Sequence, residues 1–255
     1  MAKVLEIAAI LVEAGLLIAL IIRLRKIRGI YRIERERQPY PIDALRIAFA
    51  STMGRRLGAM VFGEVAVLWY ALAGWRGRGR ASQPGKPFPG HRRNAYPAIL
   101  GAVMMAVVVE TAVLHLLVSL WVGWVAWILT GLSVYSLIWL LGDFQAARLN
   151  PSLLTESHLH LRTGLRWQAD LAWMEIIGIH GDPPPEKHVK MTLFGAPEFW
   201  IECSDPTVVR GFFGIERHVR FIGLGVDDPE GFRREIQRCI QKSGAMRPPP
   251  KPVQM

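Results

Sequence analysis

Between Leu116 and Gly142 the chain carries no charged residue, and this gap constrains the fold more than any other feature. A helix needs about 20 apolar residues to cross a hydrocarbon core. The stretch leading into the gap, Pro97–Leu120, and the stretch closing it, Trp124–Gly142, each come near that length. They meet at Trp121-Val122-Gly123-Trp124, and tryptophans at a turn suit the interfacial belt of a bilayer. The two stretches are therefore expected to form a tight helical hairpin. A short uncharged turn is expected to face outward, which places Arg148 and everything after it in the cytoplasm.

Two further apolar segments precede the hairpin, Val4–Ile22 and Leu57–Trp75. Lys3 and the cluster Arg23-Leu24-Arg25-Lys26 flank the first, and no small-x-small cleavage site follows it, so it reads as a retained anchor rather than a signal peptide. The second lies between two basic loops. Arg23–Arg56 holds ten Lys/Arg and Arg76–Arg93 holds six. The positive-inside rule wants both loops cytoplasmic, yet one crossing helix between them would separate them. Either one loop breaks the rule or Leu57–Trp75 enters and leaves on the same side. Within the first loop Ile42–Met53, opened by Pro41 and Asp43, reads as a short amphipathic helix with Leu45, Ile47, Ala48 and Phe49 suited to the membrane surface. The second loop includes Ala81–Gly90, rich in Pro and Gly, which reads as a linker.

The chain has 255 residues, half of them hydrophobic, and a net charge of +10. The arginines flank lipophilic runs instead of covering a soluble face with interleaved aromatics, which argues against nucleic-acid binding and for a bilayer partner. Cys203 and Cys239 are too few for a disulfide scaffold and favour a reducing compartment.

After Pro151 the pattern changes. His158-Leu-His-Leu-Arg162 alternates as a half-buried strand does, Thr163-Gly164 turns, and Leu165–Leu171 alternates again. Trp173–Ile179 is rich in strand formers, and Gly181–Pro185 is a loop. Val189–Phe194 and Glu198–Cys203 are expected to pair as a hairpin around Gly195-Ala196-Pro197. Val208–Phe213 and His218–Leu224 complete the strands. Asp228 and Pro229 then start a helix with Phe232, Ile236 and Ile240 on one face. The tail Arg247–Met255 is Pro-rich and expected to be disordered.

Leu154-Thr155, Leu159-His160-Leu161-Arg162, Gly164-Leu165, and Trp173 followed by Ile176 and Ile179 resemble the bacterial pleckstrin-homology-like domains appended to membrane helices. The resemblance covers roughly residues 151–243. It implies a small sheet plugged by a terminal helix, and it carries no established activity. The expected architecture is a membrane α-helical N-terminal portion with about four apolar helices, three or four of them spanning, followed by a small α+β PH-like domain with a C-terminal amphipathic helix. The divisions are an anchor at 1–26, a basic and partly amphipathic linker at 27–56, membrane helices within 57–150, the PH-like domain at 151–243 and the tail at 244–255.

Ionisable residues inside apolar segments are the candidates for chemistry, because a charge at mid-bilayer costs about 3 kcal/mol on insertion scales. Glu6 and Glu13 share a face of the first segment; Glu64 lies in the second, and Glu110 and His115 in the third. Glu64, Glu110 and His115, with Glu13, Tyr70 and Tyr135 behind them, form a candidate intramembrane site. Two carboxylates and an imidazole suit Zn²⁺ or Fe²⁺, or a proton relay. Against this, Glu110 and His115 are five apart and do not share a helix face. The plainer reading pairs these groups across helices as polar glue.

His158 and His160, with His180, His188 and His218, are better explained as a solvated strand face than as metal ligands. Asp143 reads as an interfacial cap. Gly101, Ala102, Met105 and Ala106 offer a small-residue face to other helices or subunits. No P-loop, dinucleotide fingerprint or nucleophile motif occurs. The chain is thus expected to be a multi-pass protein of the cell membrane, not an enzyme. Its cytoplasmic PH-like domain binds a protein partner or packs against the inner leaflet. Arg162, Arg166, Lys187 and Lys190, along with Arg210, Arg217 and Arg220, are the candidates to face anionic headgroups. The alternative is a membrane-embedded enzyme or metal/proton site on Glu64, Glu110 and His115.

Overall fold

The computed structural model describes residues 1–77, 85–90 and 95–245. Helix α1, Ala2–Arg37, runs through the expected anchor and on past the basic cluster. Arg, Leu and Lys are strong helix formers, so charge alone does not end the helix. It stops at Gln38, whose extended backbone is what Pro39 imposes on the residue before it. The expected linker at 27–56 is therefore helical almost throughout. Helix α2, Pro41–Met53, opens with proline at its first turn and closes at Gly54, whose φ of 82° lets the chain reverse. Helix α3 occupies Arg55–Ala73. Strand β1, Lys86–Phe88, lies inside the expected Pro-rich linker, of which 81–84 falls outside the described residues. Its Pro87 is tolerated because β1 is an edge strand.

Helices α4, Tyr96–Ser119, and α5, Gly123–Leu149, form the hairpin, and α5 continues beyond Gly142 to Leu149. Among the described residues three helical stretches are long and apolar enough to cross a membrane, Arg55–Arg76, Tyr96–Ser119 and Gly123–Leu149. They differ in cover: half of the apolar window of the first is buried within the protein, against 6% and 11% for the other two. Val67 of α3 packs on Gly142 of α5 so closely that a side chain at Gly142 would meet the Val67 carbonyl.

The remaining strands are β2 (Ser152–Leu154), β3 (His158–Thr163), β4 (Trp167–Ala172), β5 (Ile176–His180), β6 (His188–Met191), β7 (Phe199–Gly211) and β8 (Glu216–Leu224), followed by helix α6 (Pro229–Ala245). They build an eight-stranded sheet in the order β1-β2-β3-β4-β7-β8-β6, with β5 also paired to β7. The expected hairpin between Val189–Phe194 and Glu198–Cys203 does not form. Instead β6 pairs in parallel with β8, Val189 opposite Ile222, while β7 pairs with β5 and β8. The segments read as Glu198–Cys203 and Val208–Phe213 are largely one long strand, β7, with a register shift between Glu202 and Thr207.

Alternation on β3 puts Leu159 and Leu161 into the core, where Phe88, Trp173, Phe199 and Ile201 join them. Phe232 and Ile236 of α6 are fully buried there, and Phe232 meets Phe88 and Phe199 at ring separations of 4.8 and 5.4 Å. Asp228 caps α6 by accepting from the Gly231 amide at 3.0 Å. The tail Arg247–Met255 lies outside the described residues. Replacing Phe232 by Ala is expected to cost about 3–5 kcal/mol and Asp228→Ala about 1 kcal/mol. Denaturant unfolding of the detergent-solubilised protein, followed by tryptophan fluorescence, measures both.

Candidate functional site: the polar junction of helices and sheet

The densest set of buried polar groups lies where the sheet meets the helices. Arg162, on β3, is expected from sequence to face headgroups. Instead its side chain is only 4% exposed and forms an ion pair with Asp43 of α2. Its guanidinium lies 3.9 Å from the centre of the Tyr40 ring, a cation–π arrangement. Asp43 also pairs with Arg46 at 3.3 Å. The Tyr40 hydroxyl donates to the Pro151 carbonyl at 2.8 Å. Burial pulls the Arg162 pKa down, and burial together with nearby Arg210 brings Arg46 to about 10. Burial likewise raises the Tyr40 phenol.

A second lock joins α4 and α5 to the loop between β3 and β4. Asp143 is buried, in the body of α5 rather than at its end, which corrects its reading as an interfacial cap. It accepts from the Tyr96 hydroxyl at 2.9 Å and from Arg166 Nη2 at 2.7 Å. Arg166 also donates to the Leu193 carbonyl at 3.3 Å. Burial works against the Arg166 charge, and Asp143 more than offsets it, leaving its pKa raised. Both Arg162 and Arg166 are thus engaged within the protein. Of the headgroup candidates, Lys187 and Lys190 stand exposed, Lys187 just ahead of edge strand β6 and Lys190 within it.

A third contact ties the ends of α3 and α5 together. Asn150 donates to the Tyr70 hydroxyl at 2.8 Å, and Arg148 donates to the Gly74 carbonyl at 3.4 Å. Arg162 Nε, Gln168 Nε2, Asp143 Oδ1, Asn150 Oδ1 and both polar atoms of Gln145 are buried here with no hydrogen-bond partner among the described residues. Such atoms commonly hold ordered water.

The intramembrane candidates are distributed rather than convergent. Glu64 accepts from Tyr135, a contact between α3 and α5. His115 Nδ1 is 2.8 Å from the Thr130 hydroxyl, and its ring stands edge-on to Trp127 at 5.0 Å, both within the α4–α5 hairpin. Glu110 and Glu13 are exposed on α4 and α1. Among the described residues no three His, Cys, Asp or Glu side chains come together as a group able to hold a metal ion, so Glu64, Glu110, His115 and Glu13 are not gathered into the candidate Zn²⁺ or Fe²⁺ set.

On the sheet, His158 and His160 stack with ring centres 5.9 Å apart. His160 is 2.7 Å from Asp170, an acidic partner brought opposite by strand register. Burial pushes the Asp170 carboxyl up, but the hydrogen bond from His160 and the charge of Arg162 hold it below the usual range. His180 pairs with Glu202 at 2.8 Å. Cys203 is buried and its thiol is pushed up to about 11, which makes it inert as a nucleophile.

Sequence reasoning did not anticipate Tyr40, Asp43 or Tyr96 at this junction. The one available signal was Asp143, the first charge after a long apolar run. Comparison of the chain with protein-family models, with curated protein sequences and with solved structures returned no match.

Asp43→Ala strands a buried guanidinium and is expected to lower stability by about 3–5 kcal/mol, whereas an Asp43→Leu/Arg162→Met pair recovers most of that loss. Thermal unfolding of the three proteins separates the two. Glu64→Gln retains a hydrogen-bonding partner for Tyr135 and is expected to cost no more than about 1 kcal/mol. A loss several times larger in the same assay would show that Glu64 does more than join two helices.

Proposed function

We propose that the chain is a multi-pass protein of the cell membrane whose sheet domain, resembling a PH-like fold, serves on the cytoplasmic side as a binding module for the anionic inner leaflet. The α4–α5 hairpin crosses the bilayer. Its apolar surface is almost entirely uncovered by protein, which suits lipid contact.

The observation that carries the binding role is a recess beside edge strand β6, lined by Glu186, Lys187, His188, Arg217 and His218, in which the basic groups outnumber the one acid. Arg217 lies 5.3 Å from the Trp167 ring, which supports its side chain. The recess opens at the end of β8 that begins with Glu216, and Glu216 pairs with Arg55 of α3, so it lies at the helical side of the sheet. Basic groups near an anionic surface contribute about 1 kcal/mol each.

Full-length protein in detergent is expected to prefer short-chain phosphatidylglycerol over phosphatidylcholine. Lys187→Gln with Arg217→Gln is expected to weaken phosphatidylglycerol binding about 30-fold. Unchanged binding in the double variant would exclude the recess as the headgroup site.

A further inference from the structure

The two basic loops around α3 pose a conflict that the fold resolves. At its C-terminal end α3 is held by the last turns of α5: Asn150 donates to Tyr70, and a methyl built on Gly74 would lie 2.9 Å from Gln145 Cβ. At its N-terminal end it is held by the tip of the β7–β8 hairpin. Arg55 pairs with Glu216; a methyl on Gly214 would lie 2.8 Å from Ala59 Cβ; and one on Gly63 would lie 3.0 Å from the Phe213 ring. The last turns of α5 hold one end of the helix and the tip of the sheet holds the other, and the sheet follows directly on α5 in the chain.

A helix of 19 residues is about 28 Å long. Had α3 crossed the bilayer, its N-terminal attachment would have dragged β8, with exposed Glu216, Arg217 and His218, across the hydrocarbon. Each such charge costs about 3 kcal/mol or more at the membrane centre, and open sheet edges do not occur in lipid. Crossing is excluded on energetic grounds.

What remains is an outward apolar stripe. Leu57, Val61, Val65, Leu68 and Leu72 recur at helical spacing and stay exposed, Leu57 by 64% and Leu72 by 75%, while Gly58, Ala66, Val67 and Tyr70 face the protein. The stripe adjoins the uncovered apolar surface of α5, to which α3 is joined by Glu64–Tyr135. Beside it the hairpin tip exposes Phe213 and Ile215. Phe213 is held at a φ of 57°, a conformation costly for an aromatic residue.

We propose that α3 is a one-sided membrane helix: its Leu57–Leu72 stripe and the Phe213/Ile215 tip are seated in the leaflet that faces the sheet, and Arg55 and Arg76 stay on the sheet's side. Both basic loops then obey the positive-inside rule together, and the bilayer grips the sheet domain through a hydrophobic foot as well as through its tether. The inference rests on the membrane reading above, with α4 and α5 crossing.

Single cysteines at Ser51, Arg76, Lys187 and Gly123, in a Cys239→Ser background with buried Cys203 kept, are probed with a membrane-impermeant maleimide in sealed, oriented membranes. Ser51, Arg76 and Lys187 are expected to label from one side and Gly123 from the other. Ser51 and Arg76 labelling from opposite sides would overturn the proposal. Gly123 labelling with Lys187 would instead overturn the crossing hairpin, a separate failure read from a separate site. A spin label at Leu68 is expected to relax faster with dissolved oxygen than with an aqueous nickel complex. The reverse order would overturn the seating in lipid.

Discussion

The ion pair between Asp43 and Arg162 is the contact on which the arrangement of this molecule depends. It joins a helix that precedes the hairpin to a strand that follows it, and it does so where neither charge reaches bulk water. Breaking such a pair from one side is far costlier than the pair's net contribution, because the survivor stays buried. The geometry thus fixes where the sheet sits more firmly than it stabilises the fold. Tyr40 beneath the guanidinium, and the second lock of Asp143 with Tyr96 and Arg166, repeat the constraint at separate points. A domain held at several points does not swing on its tether.

That rigidity explains why α3 is half-covered while the hairpin is bare. Helices α2 and α5 and the Phe212–Gly214 turn at the sheet's tip pack over α3 and leave one apolar stripe exposed. The two hairpin helices leave nearly every face uncovered by protein. The same sequence property, a long apolar run, thus serves two different roles, and only the tertiary contacts distinguish them.

Much of this was legible in the residues. The uncharged run before Asp143 marked the hairpin, Pro41 opened α2, and Asp228 with the Phe232/Ile236 spacing marked the closing helix. Alternation around Leu159 and Leu161 set the inward face of β3. Pairing over long separations was not legible. Nothing local in Tyr40 or Asp43 points to Pro151 or Arg162, more than a hundred residues away. Gly195-Ala196-Pro197 had the composition of a hairpin turn, yet β6 gains its hydrogen bonds in parallel from β8, a choice made by the whole sheet. Arg162 and Arg166 resembled surface charges because a single sequence does not reveal that their carboxylates lie on helices. The carboxylates within apolar segments suggested convergence, and the packing gave Glu64 and His115 separate partners.

The most direct test of the account is whether the tip of the sheet touches the start of α3 while the protein is in its membrane. Arg55→Cys with Glu216→Cys in a Cys239→Ser background, treated with a short bis-maleimide in native membranes, is expected to become internally cross-linked in most molecules, visible as a mobility shift after cleavage at a protease site introduced between Ser82 and Gln83. If both thiols react with a monofunctional maleimide yet no cross-link forms, the sheet does not rest on α3, and the one-sided placement of that helix is wrong.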